Sequence, residues 1–184
     1  VNAVNPGYKA YNRLVDSNFA GPDGGKFVDE YPVETVPLSG DVDKAKEYLA
    51  AAMEELGYSD VSQLPQLELI TWDTSEQKLL LETIIDQWKQ NLGLENIQLT
   101  QYVIGTAIGS FYDLSYDLFA ITWETDVLPT DIMEAMVTGG EVNYGIWSDA
   151  QFDSLVEQAI NELEPDKQAE LTAQAEQIFL DNAA

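Results

Sequence analysis

Trp123-Glu124-Thr125-Asp126 is the stretch best equipped for chemistry in this chain. It follows the strongly apolar run Tyr116-Asp117-Leu118-Phe119-Ala120-Ile121-Thr122, and Pro129 stands just beyond it. In open α/β sheets, ligands sit beyond the carboxyl ends of strands. An indole face beside a carboxylate suits a ligand with an apolar body and an ammonium head. Residues 93–147 hold eight acids and no Lys or Arg, so Asp126 has no basic neighbour in that stretch. Core packing accounts for Trp123 equally well, as does a solvated turn or helix cap for Asp126.

Other chemistries fare worse. The chain has no Cys and no His. That excludes thiol nucleophiles, disulfides, Ser-His-Asp triads, His or thiolate zinc sites, His-ligated haem and iron–sulfur clusters. Asp113-Leu114-Ser115-Tyr116-Asp117 opens like a calcium loop but has Leu118 where the sixth-position Gly belongs. Gly105-Thr106-Ala107-Ile108-Gly109-Ser110 has no Lys and is no phosphate loop. Two carboxylates suffice for glycoside hydrolysis, but with 33 acids chance pairs are everywhere. No cofactor is called for.

The formal net charge is −25. Such a surface repels phosphate backbones, which argues against nucleic acid as a partner. It would also be repelled by an anionic membrane surface. No apolar run approaches the roughly 20 residues of a membrane helix. Val1 is not Met, no basic leader follows, and both ends look cut, so a piece of a longer chain is expected.

The elements that must position Trp123 and Asp126 follow from spacing and caps. Residues 1–40 carry Pro6, Pro22, Pro32 and Pro37 among several Gly, and are expected as an irregular lead-in packed on the rest by its aromatics. Residues 41–184 are expected to form one α/β ligand-binding lobe. Ala45, Leu49, Ala52 and Leu56 recur at helical spacing between Asp41 and Gly57. Leu67–Trp72 reads as a strand, and Thr74 caps a second helix that Gly93 ends. Ile97–Val103 reads as the next strand, which completes a βαβ unit. Ala107–Leu114 is a short helix candidate, and Tyr116–Trp123 is apolar enough to be a central strand. A short helix over Thr130–Val137 follows. Ser148 is expected to cap one of two closing helices, and Pro165 to open the other.

Several of these stretches, taken in order, resemble the solute-binding proteins of peptide ABC importers. Asp41-Val42-Asp43-Lys44-Ala45-Lys46-Glu47-Tyr48-Leu49-Ala50 resembles that family's D-x-x-K-A-K-x-L-L-A helix. Trp88-Lys89-Gln90-Asn91-Leu92-Gly93-Leu94 resembles its K-x-L-G-I helix end. Tyr116-Asp117 with Trp123-x-x-Asp126 and Pro129 resembles Y-D…W-x-A-D-Y-x-D-P, with Thr125 in place of Ala. Gly139-Gly140 with Asn143, then Gln151-Phe152-Asp153-Ser154-Leu155, resembles G-G-x-N…E-F-D-x-L-L. Gln174-Ala175-Glu176-Gln177-Ile178 resembles the closing Y-x-x-A-E-x-I-L helix.

The resemblance implies the C-terminal lobe, often called domain III, of a two-lobed periplasmic-binding-protein type II fold. It has a mixed sheet with a βαβ unit flanked by helices. It implies a non-enzymatic, monomeric binding protein that closes over a peptide and delivers it to an ABC transporter permease. Location would be extracytoplasmic, with a lipoprotein anchor in the intact protein. The N-terminal lobe of the same chain would be missing here. Asp126 would hold the peptide's ammonium, Trp123 would wall the site, and Asn143 would join it. The same scaffold also carries sugars and nickel complexes. A carboxylate-based glycoside hydrolase fragment is the rival.

Overall fold

The computed structural model describes residues 10–121 and 128–182. Along the chain run α1 (Phe27–Glu30), α2 (Val42–Leu56), β1 (Leu67–Trp72), α3 (Ser75–Leu92), β2 (Ile97–Tyr102), α4 (Ile104–Tyr112), β3 (Leu118–Phe119), α5 (Pro129–Ala135), α6 (Ala150–Asn161) and α7 (Pro165–Asp181). The described residues fall into two compact units. Residues 10–11 and 37–121 form the first, and residues 12–36 and 128–182 the second. Among the described residues, no helix is long and apolar enough to cross a membrane.

The first unit is built on a three-stranded sheet of order β2-β1-β3. β1 pairs in parallel with β2 over six residues, from Leu67 opposite Ile97 to Trp72 opposite Tyr102. It pairs in parallel with β3 at Leu69–Leu118 and Ile70–Phe119. The β1-α3-β2 crossover is the expected βαβ unit, because a parallel pair needs a long connection. Its helices begin and end where local chemistry dictates. Asp41 accepts from the Lys44 N–H at 2.9 Å, and Thr74 Oγ1 from the Gln77 N–H at 3.2 Å. Gly57 and Gly93 close α2 and α3 at φ of 72° and 73°, where a Cβ would be strained. The core of this unit holds Met53, Leu69, Ile70, Leu81, Ala107 and Phe111, all buried.

Two expectations about the sheet change. Among the described residues the sheet is wholly parallel rather than mixed. The central strand is β1, with Leu69, Ile70 and Thr71 buried, while the apolar run from Tyr116 yields a ladder of only two residues beside it. The apolar content of that run goes partly into rings instead. Tyr116, Phe111 and Phe119 pack mutually, with centroids 5.1–5.9 Å apart. Burial of Tyr116 also raises its phenol pKa. Thr122 and Trp123 lie outside the described residues. The short helix starts at Ile104, three residues earlier than its spacing suggested.

The second unit is helical. α5, α6 and α7 enclose Ile132, Met133, Phe152, Leu155, Val156, Ala169, Ala173 and Ala175. Trp147, Phe152 and Phe179 stack around one another at 4.9–6.0 Å. The segment 12–36 is part of this core: Val15 and Phe27 are fully or almost fully buried in it, and α1 is a helical turn that spacing did not reveal. α7 opens with Pro165 at its first turn, as expected. The cap of α6 is corrected. Asp149, not Ser148, is the N-cap, and its Oδ1 accepts from the Gln151 and Phe152 N–H groups at 2.9 and 2.8 Å. A carboxylate satisfies two orphan donors and opposes the positive helix end. Ser148 lies one residue too early, and its hydroxyl bonds that of Thr138 at 2.9 Å.

Candidate functional site

The carboxyl edge of the first unit's sheet is tightly tied. Thr71 Oγ1 donates to the Ala120 carbonyl at 2.8 Å, which fixes the path just past β3. Gln101 Nε2 donates to the carbonyls of Trp72 and Thr74 at 3.1 and 3.0 Å, and the Asp73 N–H donates to the Tyr102 carbonyl at 2.9 Å. The turns after β1 and β2 are thereby held in register with the strands that feed them. Trp72 Nε1 is buried at this edge and, among the described residues, finds no hydrogen-bond partner. α4 starts directly after β2 and leaves Val103, Ile104, Ile108 and Tyr112 exposed. These are side chains that spacing alone did not single out.

Trp123 and Asp126, the two residues with the strongest chemical case, lie outside the described residues. Asn143 is described, in the second unit. Its side chain is the knot of the loop between α5 and α6. Nδ2 donates to the Val137 carbonyl at 3.0 Å and to the Trp147 carbonyl at 2.7 Å. Oδ1 accepts from the Trp147 N–H at 3.0 Å. Both amide protons are thus committed, and one lone pair of Oδ1 is left for any ligand.

Three of the described acids between residues 93 and 147 have partners of two kinds, backbone N–H groups and a lysine. Asp117 Oδ2 accepts from the Glu68 N–H at 2.7 Å, and Asp131 Oδ2 from the Leu128 N–H at 2.7 Å. Glu95 lies 3.9 Å from Lys89. Among the described residues, no group of three or more acids is arranged to hold a metal ion.

The most heavily bonded side chain in the second unit was quoted in a motif but not recognised for its role. Glu176 is fully buried. Its carboxylate is ion-paired with Arg13 and also accepts from the Leu14 and Val15 N–H groups at 2.8 and 3.0 Å. Arg13 spends a further donor on the Val28 carbonyl at 2.9 Å and lies 5.8 Å from the Phe27 ring centroid. The available signal was compositional: Arg13 is the single arginine among eight basic residues.

Comparison with known proteins gives a consistent answer. No protein-family model matches the chain. It is 30% identical over 144 residues to the oligopeptide-binding protein OppA of Bacillus subtilis, which covers 77% of this chain and 26% of that protein. It is 26% identical over 176 residues to the dipeptide-binding protein DppE of the same organism, covering 95% of this chain and 31% of that one. The chain therefore spans about a quarter to a third of the length of these relatives. The substrate-binding domain of an oligopeptide ABC transporter from Bacillus anthracis superposes with a TM-score of 0.82 at 25% identity, over 96% of this chain and 33% of that one. A peptide-binding protein of a peptide ABC transporter gives a TM-score of 0.83 over 100% of this chain and 80% of that chain; at 21% identity this is a likeness of fold.

Proposed function

We propose that this chain, which belongs to the family of peptide-binding proteins of ABC importers, is one lobe of such a protein and contributes half of a peptide site. The observation that carries the reading is the 30% identity to an oligopeptide-binding protein over 144 residues, on a scaffold that places strand ends and helix starts at one edge of the sheet. The named relatives are binding proteins rather than enzymes, and no observation favours the glycoside hydrolase, sugar or nickel readings.

The mechanism is capture by closure. A lobe with a preformed edge meets a second lobe, and the ligand biases the closed state by contacting both. The peptide is read through its backbone and its termini, so many sequences are accepted. Asp126 holds the N-terminal ammonium, Trp123 covers the apolar flank, and Asn143 belongs to the same site. The loaded protein, extracytoplasmic, monomeric and lipid-anchored in its intact form, hands the peptide to a membrane permease. The −25 charge raises the local concentration of cationic peptides.

The test is a chemical-shift titration of this chain with the tripeptide Lys-Leu-Lys and with its N-acetylated form. With one lobe, binding no tighter than about millimolar is expected, near −4 kcal/mol. The free-amine peptide should shift signals and the acetylated one should bind more weakly. In Asp126→Asn the difference between the two should largely vanish, because both changes remove one contact. Equal responses to the two peptides in the wild type, or additive losses, would sink the Asp126 assignment.

A further inference from the structure

Residues 12–36 are far in sequence from the helices they pack on, because everything from α2 to β3 intervenes. Their own regular structure is slight: the four-residue α1 and one antiparallel bridge between Ala20 and Lys26. Their fixings sit at the two ends. Near the start, the Leu14 and Val15 N–H groups and the Arg13 guanidinium meet Glu176. Near the finish, the Glu34 N–H and carbonyl meet Gln177, the next residue of α7, at 2.6 and 3.3 Å. Asn12 Nδ2 fastens the two ends together, donating to Thr35 Oγ1 at 2.7 Å and to the Val36 carbonyl at 2.8 Å. Val15 and Phe27 are the side chains of this segment that are buried in the core of α5, α6 and α7. The helices have ties of their own. Asp149 caps α6, Gln168 Nε2 donates to the Ala159 carbonyl at 2.9 Å, and the rings of Trp147, Phe152 and Phe179 pack together. None of these ties uses residues 12–36.

We propose that residues 12–36 form a strap, which opens and closes as one cooperative piece on a helical body that keeps its own structure. Open, the strap bares the apolar face that Val15 and Phe27 cover. The buried ion pair permits this motion rather than forbidding it. Arg13 belongs to the strap and Glu176 to α7, so lifting the strap wets both charges at once and strands neither. Cooperativity follows from the fixings. The two ends are tied to each other through Asn12 and to neighbouring residues of one helix, so losing one tie loosens both ends. Such an opening is smaller than unfolding of the unit and needs less free energy.

The experiment is native-state hydrogen exchange of the whole chain, read amide by amide in low guanidinium. In the wild type the Leu14, Val15 and Glu34 amides should share one opening constant. It should exceed that of the Val156 and Ala159 amides in α6 by roughly tenfold or more. Gln177→Ala removes the tie at Glu34 and leaves Glu176 in place. It should nevertheless speed exchange at Leu14 and Val15 by about two- to tenfold, the effect of a hydrogen bond. Asn12→Ala leaves α7 untouched and should act alike. The α6 amides should respond to neither variant. If Leu14 and Val15 ignore Gln177→Ala, the ties act singly and there is no strap. Different opening constants at the two ends of the wild-type segment would have the same meaning. If α6 opens together with the segment, in the wild type or in either variant, residues 12–36 do not part from a folded body and the proposal is wrong.

Discussion

The two compact units are held by different kinds of force. The first is stitched by a backbone ladder and by caps that lie within a few residues of the groups they satisfy, as Asp41 does for Lys44 and Thr74 for Gln77. The second adds to its apolar core a buried ion pair that, among the described residues, joins positions 163 apart. A ladder distributes its stabilisation over many bonds, each contributing about 0.5–1.5 kcal/mol net. A buried pair concentrates it, since removing either partner strands a charge in the interior. Damage to the first unit should therefore be graded, and damage to the second abrupt.

That contrast can be broken, starting with the largest effect. Glu176→Ala leaves the Arg13 guanidinium buried and should destabilise the second unit by about 3–5 kcal/mol. Hydrogen exchange should show α7 amides losing protection while β1 amides keep theirs. Equal loss in both units would refute the division of labour. Replacing Arg13 and Glu176 together by Met should recover only part of the loss, because the stranded charge is removed but the Leu14 and Val15 N–H groups still lose their acceptor.

Ile70→Ala empties the centre of the sheet, where Ile70 is fully buried, and should cost about 2–5 kcal/mol. The exchange pattern should be the reverse, with β1 and β2 exposed first. A smaller pair of changes tests capping. Asp149→Ala should cost about 1 kcal/mol in denaturant melts, and Ser148→Ala within about 0.5 kcal/mol. If Ser148→Ala proved the costlier, the cap assignment would be wrong.

The smallest effect is electrostatic and exposed. Lys167 hydrogen-bonds the Glu162 carboxylate at 2.7 Å, and with the N–H groups of Glu164 and Leu163 it lowers that carboxyl from 4.5 to about 2. A depressed carboxylate contributes stability that is present above pH 4.5 and is lost as pH falls through about 2. The Lys167 partner is two-thirds exposed, so the contribution is slight and screened by salt. A side-chain carbon titration should place its midpoint near 2. Lys167→Ala should move the midpoint back toward the ordinary range, and an unmoved midpoint would refute the pairing.

What the amino-acid order revealed follows the same split. Asp41, Gly57, Thr74 and Gly93 bound two helices correctly because caps and periodicity are local. The βαβ crossover was equally legible. β3 was overread, since apolar content does not separate a strand from residues that stack as Tyr116 and Phe119 do. The Arg13–Glu176 pair was illegible because no local pattern joins positions so distant. Asn143 was chosen from the resemblance as a ligand residue, but hydrogen-bond counting along the chain could not show that its amide closes a loop. Trp123 and Asp126 lie outside the described residues, and their roles rest on the motif and on the titration proposed above.

Gln177 grips the segment before α2 in a particular way. Its Oε1 accepts from the Glu34 N–H at 2.6 Å, and its Nε2 donates to the Glu34 carbonyl at 3.3 Å. Glu176 likewise takes the N–H groups of Leu14 and Val15. These grips read peptide groups, which every residue but proline presents alike. Over evolutionary time, position 34 is thus free to drift through almost the whole amino-acid alphabet without loosening its tether. Leu14 and Val15 are limited by packing alone. Proline at any of the three would remove a donor that the helix has already committed itself to meet.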